Sequence, residues 1–100
     1  MSISKQFLKS KPECKVTFSW KAKDAKKVAV AGEFNNWKPT KLPLKKLKDG
    51  TFKGSINLPV DQSYQFKYVV DNNWVNDDKA DNYVWSDFAG SENGVVNLYS

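Results

Sequence analysis

The chain has 100 residues, of which 40% are hydrophobic and 27% are charged, so it can form one domain with a single core. Aromatic residues make up 14% of the sequence and include four tryptophans, more than a core of this size is expected to enclose. The formal net charge is +5, and every basic residue is a lysine because the sequence contains neither arginine nor histidine.

The missing residue types exclude several classes of function. Without histidine there is no Ser-His-Asp triad and no imidazole general base. Cys14 is the single cysteine and has no histidine partner, so we expect neither an intramolecular disulfide nor a thiol nucleophile. Without arginine, the bidentate fork that reads guanine edges is absent, which argues against sequence-specific reading of nucleic acid.

Three aspartates are the remaining candidates for catalysis. Asp77, Asp78 and Asp81 could supply paired carboxylates for glycoside hydrolysis, but they lie in a charged segment where raised pKa values are not expected. The segment that contains them also lacks both the ligand spacing and the glycine of a calcium-binding loop. We interpret them as structural and predict a protein that is not an enzyme and uses no cofactor or metal.

The lysines are concentrated in the first part of the chain. Residues 1–60 contain fourteen lysines and four acidic residues, whereas residues 61–100 contain two lysines and seven acidic residues. Because the two halves of a sandwich interleave, this skew need not produce a patch. We expect the lysines mainly to solvate strand faces and to protect sheet edges.

Nothing in the sequence indicates export or membrane insertion. Residues 1–11 lack the apolar region of a signal peptide, and no stretch approaches the roughly twenty apolar residues that span a bilayer. Together with the single cysteine, these features predict a soluble, cytoplasmic protein, unless the chain is part of a longer one.

Short segments of alternating polarity predict the fold. Residues 1–13 are polar and lysine-rich, and we expect a flexible lead-in with at most one helical turn around residues 5–9. From Lys15 onward, segments with a period of two are separated by turn residues, which predicts a domain over residues 14–100. Roughly seven or eight strands are expected, the count of an all-β, immunoglobulin-like antiparallel β-sandwich.

Individual segments of this pattern carry more specific expectations. Gly50 is expected to adopt a positive φ in a hairpin turn over residues 48–51. Residues 76–94 are interpreted as a long irregular segment, followed by a closing strand over residues 95–99. The core is assigned to Phe18, Phe52, Phe66 and Tyr68, because they occupy alternating inward positions.

Two tryptophans occupy positions suited to binding. Trp37 lies in the loop that follows Phe34, which we expect to tuck inward, and Trp74 follows the turn over residues 71–73. Each could instead fold back over the core. Lys67 lies on the outer face of the preceding strand, so the two indoles and this amine could form a flat platform with a donor at its edge. Such a platform suits a sugar ring, whose C–H face packs on an indole, although nucleic-acid bases could stack there too.

Three runs of the sequence resemble a known family. Residues 30–37, residues 42–44 and residues 64–74 read VAGEFNNW, LPL and YQFKYVVDNNW. They resemble the glycogen-binding domain of AMP-activated protein kinase β subunits, which belongs to carbohydrate-binding module family 48. The resemblance covers residues 15–99. It implies that Trp37 and Trp74 clasp an α-1,4-linked glucan, glycogen or starch, and that Lys67 donates hydrogen bonds to its hydroxyl groups.

A late loop of that family also contacts the glucan. The resemblance places its aliphatic, hydroxyl and amide residues at Ala89, Ser91 and Asn93. Ala89 is smaller than the leucine of the kinase subunit, so the sequence departs from the family here, and Phe88 is a candidate to replace it. Trp85 is left unassigned, because its segment has no clear period.

Three functions therefore remain in competition. The leading one is non-catalytic binding of α-glucan, in a targeting or regulatory role. The second is a protein-interaction domain of a kinase-regulatory or metabolic complex. The third, nucleic-acid binding, is disfavoured but permitted by the net charge, and fungal proteins with a similar N-terminal domain have been described as DNA-binding. Salt dependence separates phosphate contacts from sugar stacking.

Overall fold

The computed structural model of the protein describes residues 2–21, 24–88 and 90–99. In these ranges the chain forms nine β-strands and two short 3₁₀ helices, Glu33–Asn35 and Pro39–Lys41. The strands are β1 Ser2–Phe7, β2 Glu13–Lys21, β3 Val28–Gly32, β4 Lys45–Lys46, β5 Thr51–Pro59, β6 Ser63–Val70, β7 Asn73–Val75, β8 Asn82–Ser86 and β9 Ser91–Asn97. Within the described ranges, no helix has the length and hydrophobicity needed to cross a membrane.

The strands form two antiparallel sheets. The first sheet has the order β1-β2-β5-β4, and the second has the order β3-β6-β9-β8, with β7 also pairing with β6. The predicted all-β sandwich is therefore confirmed. The described part of the chain has nine strands where seven or eight were expected, because both β1 and β8 lie in segments whose local pattern predicts irregular structure.

The lead-in is the first of these corrections. Residues 2–7 form β1, which pairs with β2 from Ser2 opposite Ser19 to Phe7 opposite Cys14, instead of an irregular segment or a helical turn. An edge strand tolerates polar and lysine residues, so this segment lacks the apolar alternation by which a strand is predicted from sequence. The side chain of Ile3 packs against the core, and the Lys5 ammonium pairs with the Asp81 carboxylate at 2.5 Å.

The second correction concerns residues 76–94. They contain β8, which pairs with β9 from Asn82 opposite Val95 to Ser86 opposite Ser91, and β9 begins at Ser91 instead of residue 95. Edge strand β8 is half-exposed and has no apolar alternation of its own. Its strand conformation depends on backbone hydrogen bonds to β9, which a reading of local periodicity does not detect.

The core lies between the sheets and is built from aromatic and branched side chains. All four predicted core residues, Phe18, Phe52, Phe66 and Tyr68, are buried, which confirms their assignment. Phe18 is central, with its ring centroid 5.3 Å from that of Phe66 and 6.1 Å from that of Tyr68. Each large side chain that folding buries contributes about 1.5–3 kcal/mol.

One polar cluster lies at the margin of this core. The Tyr68 hydroxyl donates a hydrogen bond to Oδ2 of Asp77 at 2.9 Å, and the backbone N–H of Lys79 donates to Oδ1 at 2.7 Å. The Tyr83 hydroxyl donates to the Asp77 carbonyl oxygen. Burial, reinforced by the neighbouring Asp77 carboxyl group, raises the pKa of the Tyr68 hydroxyl. Asp77 is completely buried, and its hydrogen bonds hold the segment after β7 against β6.

Replacement of Tyr68 with Phe tests this cluster. The Y68F variant leaves a buried Asp77 oxygen without its hydroxyl donor, so we expect the free energy of unfolding to fall by about 1–3 kcal/mol in urea denaturation. Tyr99→Phe is the matched control, because Tyr99 is 62% exposed, and a change below about 0.5 kcal/mol is expected there. Equal stability of both variants would show that the Tyr68 hydroxyl contributes nothing to folding.

Candidate functional site

Strand β6 divides its side chains between the core and the outer surface of the second sheet. Tyr64, Phe66 and Tyr68 point inward, so Gln65, Lys67 and Val69 point outward. Trp74 on β7 is the cross-strand partner of Val69 and shares its face. The outer face assigned to Lys67 from the sequence is therefore confirmed, and Trp74 lies one row away from it.

A groove of about 570 Å³ crosses this outer face. It is lined by Glu33, Trp37, Gln65, Lys67, Trp74, Ser86, Phe88 and Asn93. Four of the five side chains expected to bind carbohydrate, Trp37, Lys67, Trp74 and Asn93, thus come together from separate parts of the chain. The fifth, Ser91, does not line the groove; its Oγ accepts a hydrogen bond from Lys67 Nζ at 2.6 Å.

The loop that carries Trp37 is fixed by hydrogen bonds of Asn35. The buried Asn35 amide accepts from the backbone N–H of Gly32 at 2.9 Å and donates to the carbonyl oxygen of Val30 at 3.0 Å. Asn36 and Trp37 both adopt the left-handed conformation, with φ of 56° and 58°. That conformation is unusual for a bulky residue and costs on the order of 1–3 kcal/mol. The Asn35 bonds help to offset this cost and hold the indole at the groove.

Phe34 anchors the same loop in the core. Its ring centroid lies 5.9 Å from that of Phe18 and 6.0 Å from that of Tyr64, which confirms the expected inward position. Gly32 allows this close packing, because a Cβ atom at that position would lie 2.7 Å from both the Gln65 carbonyl oxygen and the Phe34 ring. The glycine and the phenylalanine of the loop motif therefore place the loop, whereas Trp37 faces the groove.

Trp74 is presented by the tight turn between β6 and β7. Asp71 and Asn72 take positive φ values of 48° and 71°, which reverse the chain in two residues. Oδ1 of Asp71 accepts hydrogen bonds from the backbone N–H groups of Lys26 and Lys27, at 2.9 and 2.8 Å. This ties the turn to the segment before β3. The Trp74 side chain is 47% exposed, so much of its indole is open to a ligand.

The floor of the groove is polar and internally hydrogen-bonded. Lys67 is buried, and its ammonium donates to Ser91. The Gln65 side-chain oxygen accepts from Asn93 Nδ2 at 3.0 Å, and the Gln65 backbone N–H donates to the Glu33 carboxylate at 2.7 Å. Among the residues described, Oδ1 of buried Asn93 has no hydrogen-bond partner. The floor therefore offers an ammonium and two amide groups in fixed positions.

Three lining residues, Glu33, Gln65 and Ser86, were not considered for the site from the sequence, and a fourth, Phe88, was considered only as a replacement for Ala89. Gln65 could have been found, because it shares the outer face of β6 with Lys67 at a spacing of two. Glu33 lies inside the loop motif, but nothing in the sequence pattern indicated that its side chain faces the groove. Ser86 ends β8 and Phe88 follows it, so their place in the groove depends on a strand that local pattern missed. Phe88 is fully exposed, and Ala89 lies outside the described residues.

Trp85 does not line the groove. Its side chain is 64% exposed on edge strand β8, and its indole N–H donates to the Asp87 carboxylate at 2.8 Å. The part of the chain that the structure describes also contains no cluster of three or more Cys, Asp or Glu side chains able to hold a metal ion.

A sandwich with an aromatic groove on one sheet is the architecture of a carbohydrate-binding module. Residues 14–99 match the family described as the glycogen recognition site of AMP-activated protein kinase, and the chain belongs to this family. The resemblance seen in the sequence is therefore confirmed. Modules of this family bind carbohydrate without catalysing a reaction on it.

The chain is also similar to part of some much longer yeast proteins. Proteins named "Cruciform DNA-recognizing protein 1" from Saccharomyces cerevisiae strains RM11-1a and JAY291 are each 43% identical to it over 63 residues. The similar region covers 58% of this chain and 13% of each relative. The chain thus corresponds to a small part of the length of these relatives.

Replacement of Asn35 tests how the Trp37 loop is held. The N35A variant removes two buried hydrogen bonds, so we expect the free energy of unfolding to fall by about 1–3 kcal/mol in urea denaturation. Asn36→Gly is the control at the neighbouring position, because glycine adopts the left-handed conformation without strain and the change should stay below about 0.5 kcal/mol. A larger loss in N36G than in N35A would contradict the assigned role.

Proposed function

We propose that the protein binds α-1,4-linked glucan, a glycogen or starch chain, in the groove on the second sheet, without catalysing a reaction. The observation that carries this proposal is the meeting of two tryptophans, Trp37 from the loop after β3 and Trp74 from the β6–β7 hairpin, with one buried lysine in a single groove. Membership in a glycogen-recognition family supports it.

Stacking supplies the apolar part of the interaction. A glucose ring packs its C–H face on an indole, and each such stack contributes about 0.5–1.5 kcal/mol beyond the buried area. Trp37 is half-buried and Trp74 is 47% exposed, so each can bury further aromatic surface against a sugar. Two stacks and a few hydrogen bonds give an affinity of about micromolar to millimolar, which a polymer with many sites raises by avidity.

Hydrogen bonds from side chains on the groove floor orient the bound glucan. A lysine ammonium has three donors, and Ser91 accepts from one of them, which leaves two that can donate to sugar hydroxyls in the groove that Lys67 lines. The Asn93 side-chain amide, which donates to Gln65, supplies a further polar group on the same floor. Ser91 acts through Lys67, because its hydroxyl holds the ammonium in place and does not line the groove.

The charge of the groove favours a neutral ligand. Its lining contains one acidic side chain, Glu33, and one basic side chain, Lys67, so the two formal charges cancel. A polyphosphate would meet the Glu33 carboxylate, which is exposed and repels it. We therefore place sugar, and not nucleic-acid bases, on Trp37 and Trp74.

The wider role is also a proposal. A module of this kind attaches a larger enzyme or regulatory complex to glycogen or starch, and we propose that it does so in the cytoplasm. The yeast relatives are named for recognition of cruciform DNA, but the similar region is 13% of their length. Protein subunits of a larger complex are the second class of partner.

Removal of the groove tryptophans tests the proposal directly. Trp37→Ala and Trp74→Ala should each raise the dissociation constant for maltoheptaose at least about tenfold, because each loses a stack and its buried area. Trp85→Ala should leave it unchanged, since that exposed indole lies outside the groove. Isothermal titration calorimetry is the suitable measurement, because it does not rely on the fluorescence of the residues removed.

Two results would contradict glucan binding in this groove. One is no heat from the native protein with maltoheptaose or β-cyclodextrin up to ~10 mM, a range in which weak stacking sites still register. The other is equal weakening by Trp37→Ala and Trp85→Ala. Maltoheptaose is uncharged, so its affinity should hardly change with salt, whereas binding of a nucleic acid through its phosphates weakens steeply as the salt concentration rises.

Removal of the Lys67 amine tests the polar floor. Lys67→Met keeps the length and the apolar stem but removes the donors, and we expect maltoheptaose affinity to fall about tenfold. Lys79→Met is the matched control, because Lys79 is exposed and outside the groove lining. If both variants bind like the native protein, hydroxyl recognition does not use Lys67, and stacking alone carries the affinity.

A further inference from the structure

The outer face of the first sheet carries exposed lysines among small polar side chains. Cys14, Val16 and Phe18 of β2 point into the core, as do Phe52 and Leu58 of β5. The intervening side chains point outward, because successive residues of a strand face opposite sides. On β2, β4 and β5 these outward residues are Glu13, Lys15, Thr17, Ser19, Lys21, Lys45, Thr51, Lys53, Ser55, Asn57 and Pro59.

Three of these lysines form a row across the strands. Lys45 on β4 is the direct cross-strand partner of Lys53 on β5. Lys53 is opposite Ser19 on β2, and Lys21 is opposite Thr51, so Lys21 and Lys53 are diagonal neighbours. Direct partners have Cβ atoms about 4.5–5.5 Å apart and diagonal neighbours about 7–8 Å. All three side chains are exposed, and we call them the lysine row.

The lysine row has little compensating negative charge. Within the described ranges, the ion pair that the structure shows is Lys5 with Asp81, which involves none of these lysines. Glu13 lies at the far end of β2. Asp49 lies in the turn before β5, where its carboxylate accepts a hydrogen bond from the Thr51 backbone N–H at 3.0 Å. That hydrogen bond lowers the pKa of Asp49, and the charge of Lys21 lowers it further, so Asp49 partly compensates one end of the row.

Solubility and edge protection explain only part of this arrangement. Lysines on an edge strand prevent unwanted pairing, and β4 is an edge. Strands β2 and β5 are internal strands of the sheet, so Lys21 and Lys53 do not protect an edge. Like charges directly opposite each other destabilise a sheet, which makes the Lys45–Lys53 pair a cost that a bound anion would relieve.

We propose that the lysine row binds the phosphate backbone of duplex DNA without reading its sequence. The outward positions of β2, β4 and β5 hold no aromatic side chain, so the face offers neither a stacking platform for single-stranded bases nor an apolar anchor for a lipid surface. Lysine ammonium groups provide point charges that pair with phosphates. Because the sequence contains no arginine, no bidentate guanidinium group is present to read base edges.

This surface is separate from the glucan groove. The lysine row lies on the outer face of the first sheet, whereas the groove lies on the outer face of the second sheet. The core separates the two faces, so a duplex and a glucan chain can be bound at the same time. The proposal therefore does not depend on the glucan function.

The test compares two triple variants of equal net charge. Lys21→Gln/Lys45→Gln/Lys53→Gln removes the lysine row, and Lys9→Gln/Lys26→Gln/Lys79→Gln removes three exposed lysines outside it. Binding to a fluorescently labelled duplex of mixed sequence is measured by anisotropy between about 50 and 200 mM salt. We expect the row variant to lose at least about tenfold in affinity at the lower salt and its log–log salt slope to shrink by about 2.7, or about 0.9 for each lost phosphate contact. The control should lose less than about threefold.

Several outcomes would overturn the proposal. They are no duplex binding by the native protein at about 50 mM salt, equal losses in both triple variants, and binding only to phosphatidylserine vesicles. An unfolding temperature that falls in neither variant confirms that the sheet is intact. Maltoheptaose affinity should be the same in the row variant and the native protein, and excess maltoheptaose should not displace the duplex. Displacement would place the duplex in the groove, whereas a native protein that binds duplex but no glucan would contradict the groove function alone.

Discussion

The strict alternation of side chains along β6 is the constraint on which both the fold and the groove depend. Tyr64, Phe66 and Tyr68 fill the core, and the residues between them form the floor on the opposite face. A shift of one residue in the pairing with β3 would exchange the two sets, placing Lys67 in the core and an aromatic ring in solvent. The apolar packing of one face therefore fixes the position of the binding groups on the other.

The walls of the groove are held by a different kind of interaction. The Trp37 loop and the Trp74 turn use left-handed residues, and buried or capping side chains satisfy the backbone around them. Asn35 and Asp71 perform this role at the two sites. Because these loops are fixed before a ligand arrives, binding loses less conformational entropy, which matters for a site with few contacts.

The two outer faces of the sandwich differ in the ligand that each suits. The second sheet carries aromatic side chains and cancelling charges, which favours an uncharged polymer with apolar ring faces. The first sheet carries lysines and hydroxyl groups, which favours an anionic polymer. From the sequence, the lysine skew need not have produced a patch, because the two halves of a sandwich interleave. The structure instead keeps three of these lysines on neighbouring strands, because β2, β4 and β5 all come from residues 1–60.

The sequence by itself determined the sandwich class, the core aromatics, the Gly50 turn with its φ of 90°, and the positions of Trp37, Lys67 and Trp74. These features follow from period-two alternation, turn chemistry and family motifs, which are local in the chain. Only the tertiary structure decided that residues 2–7 and 82–86 are strands, that Gln65, Glu33, Ser86 and Phe88 complete the groove, and that Ser91 contacts Lys67. Edge strands and cross-strand contacts depend on partners distant in sequence, so no local pattern specifies them.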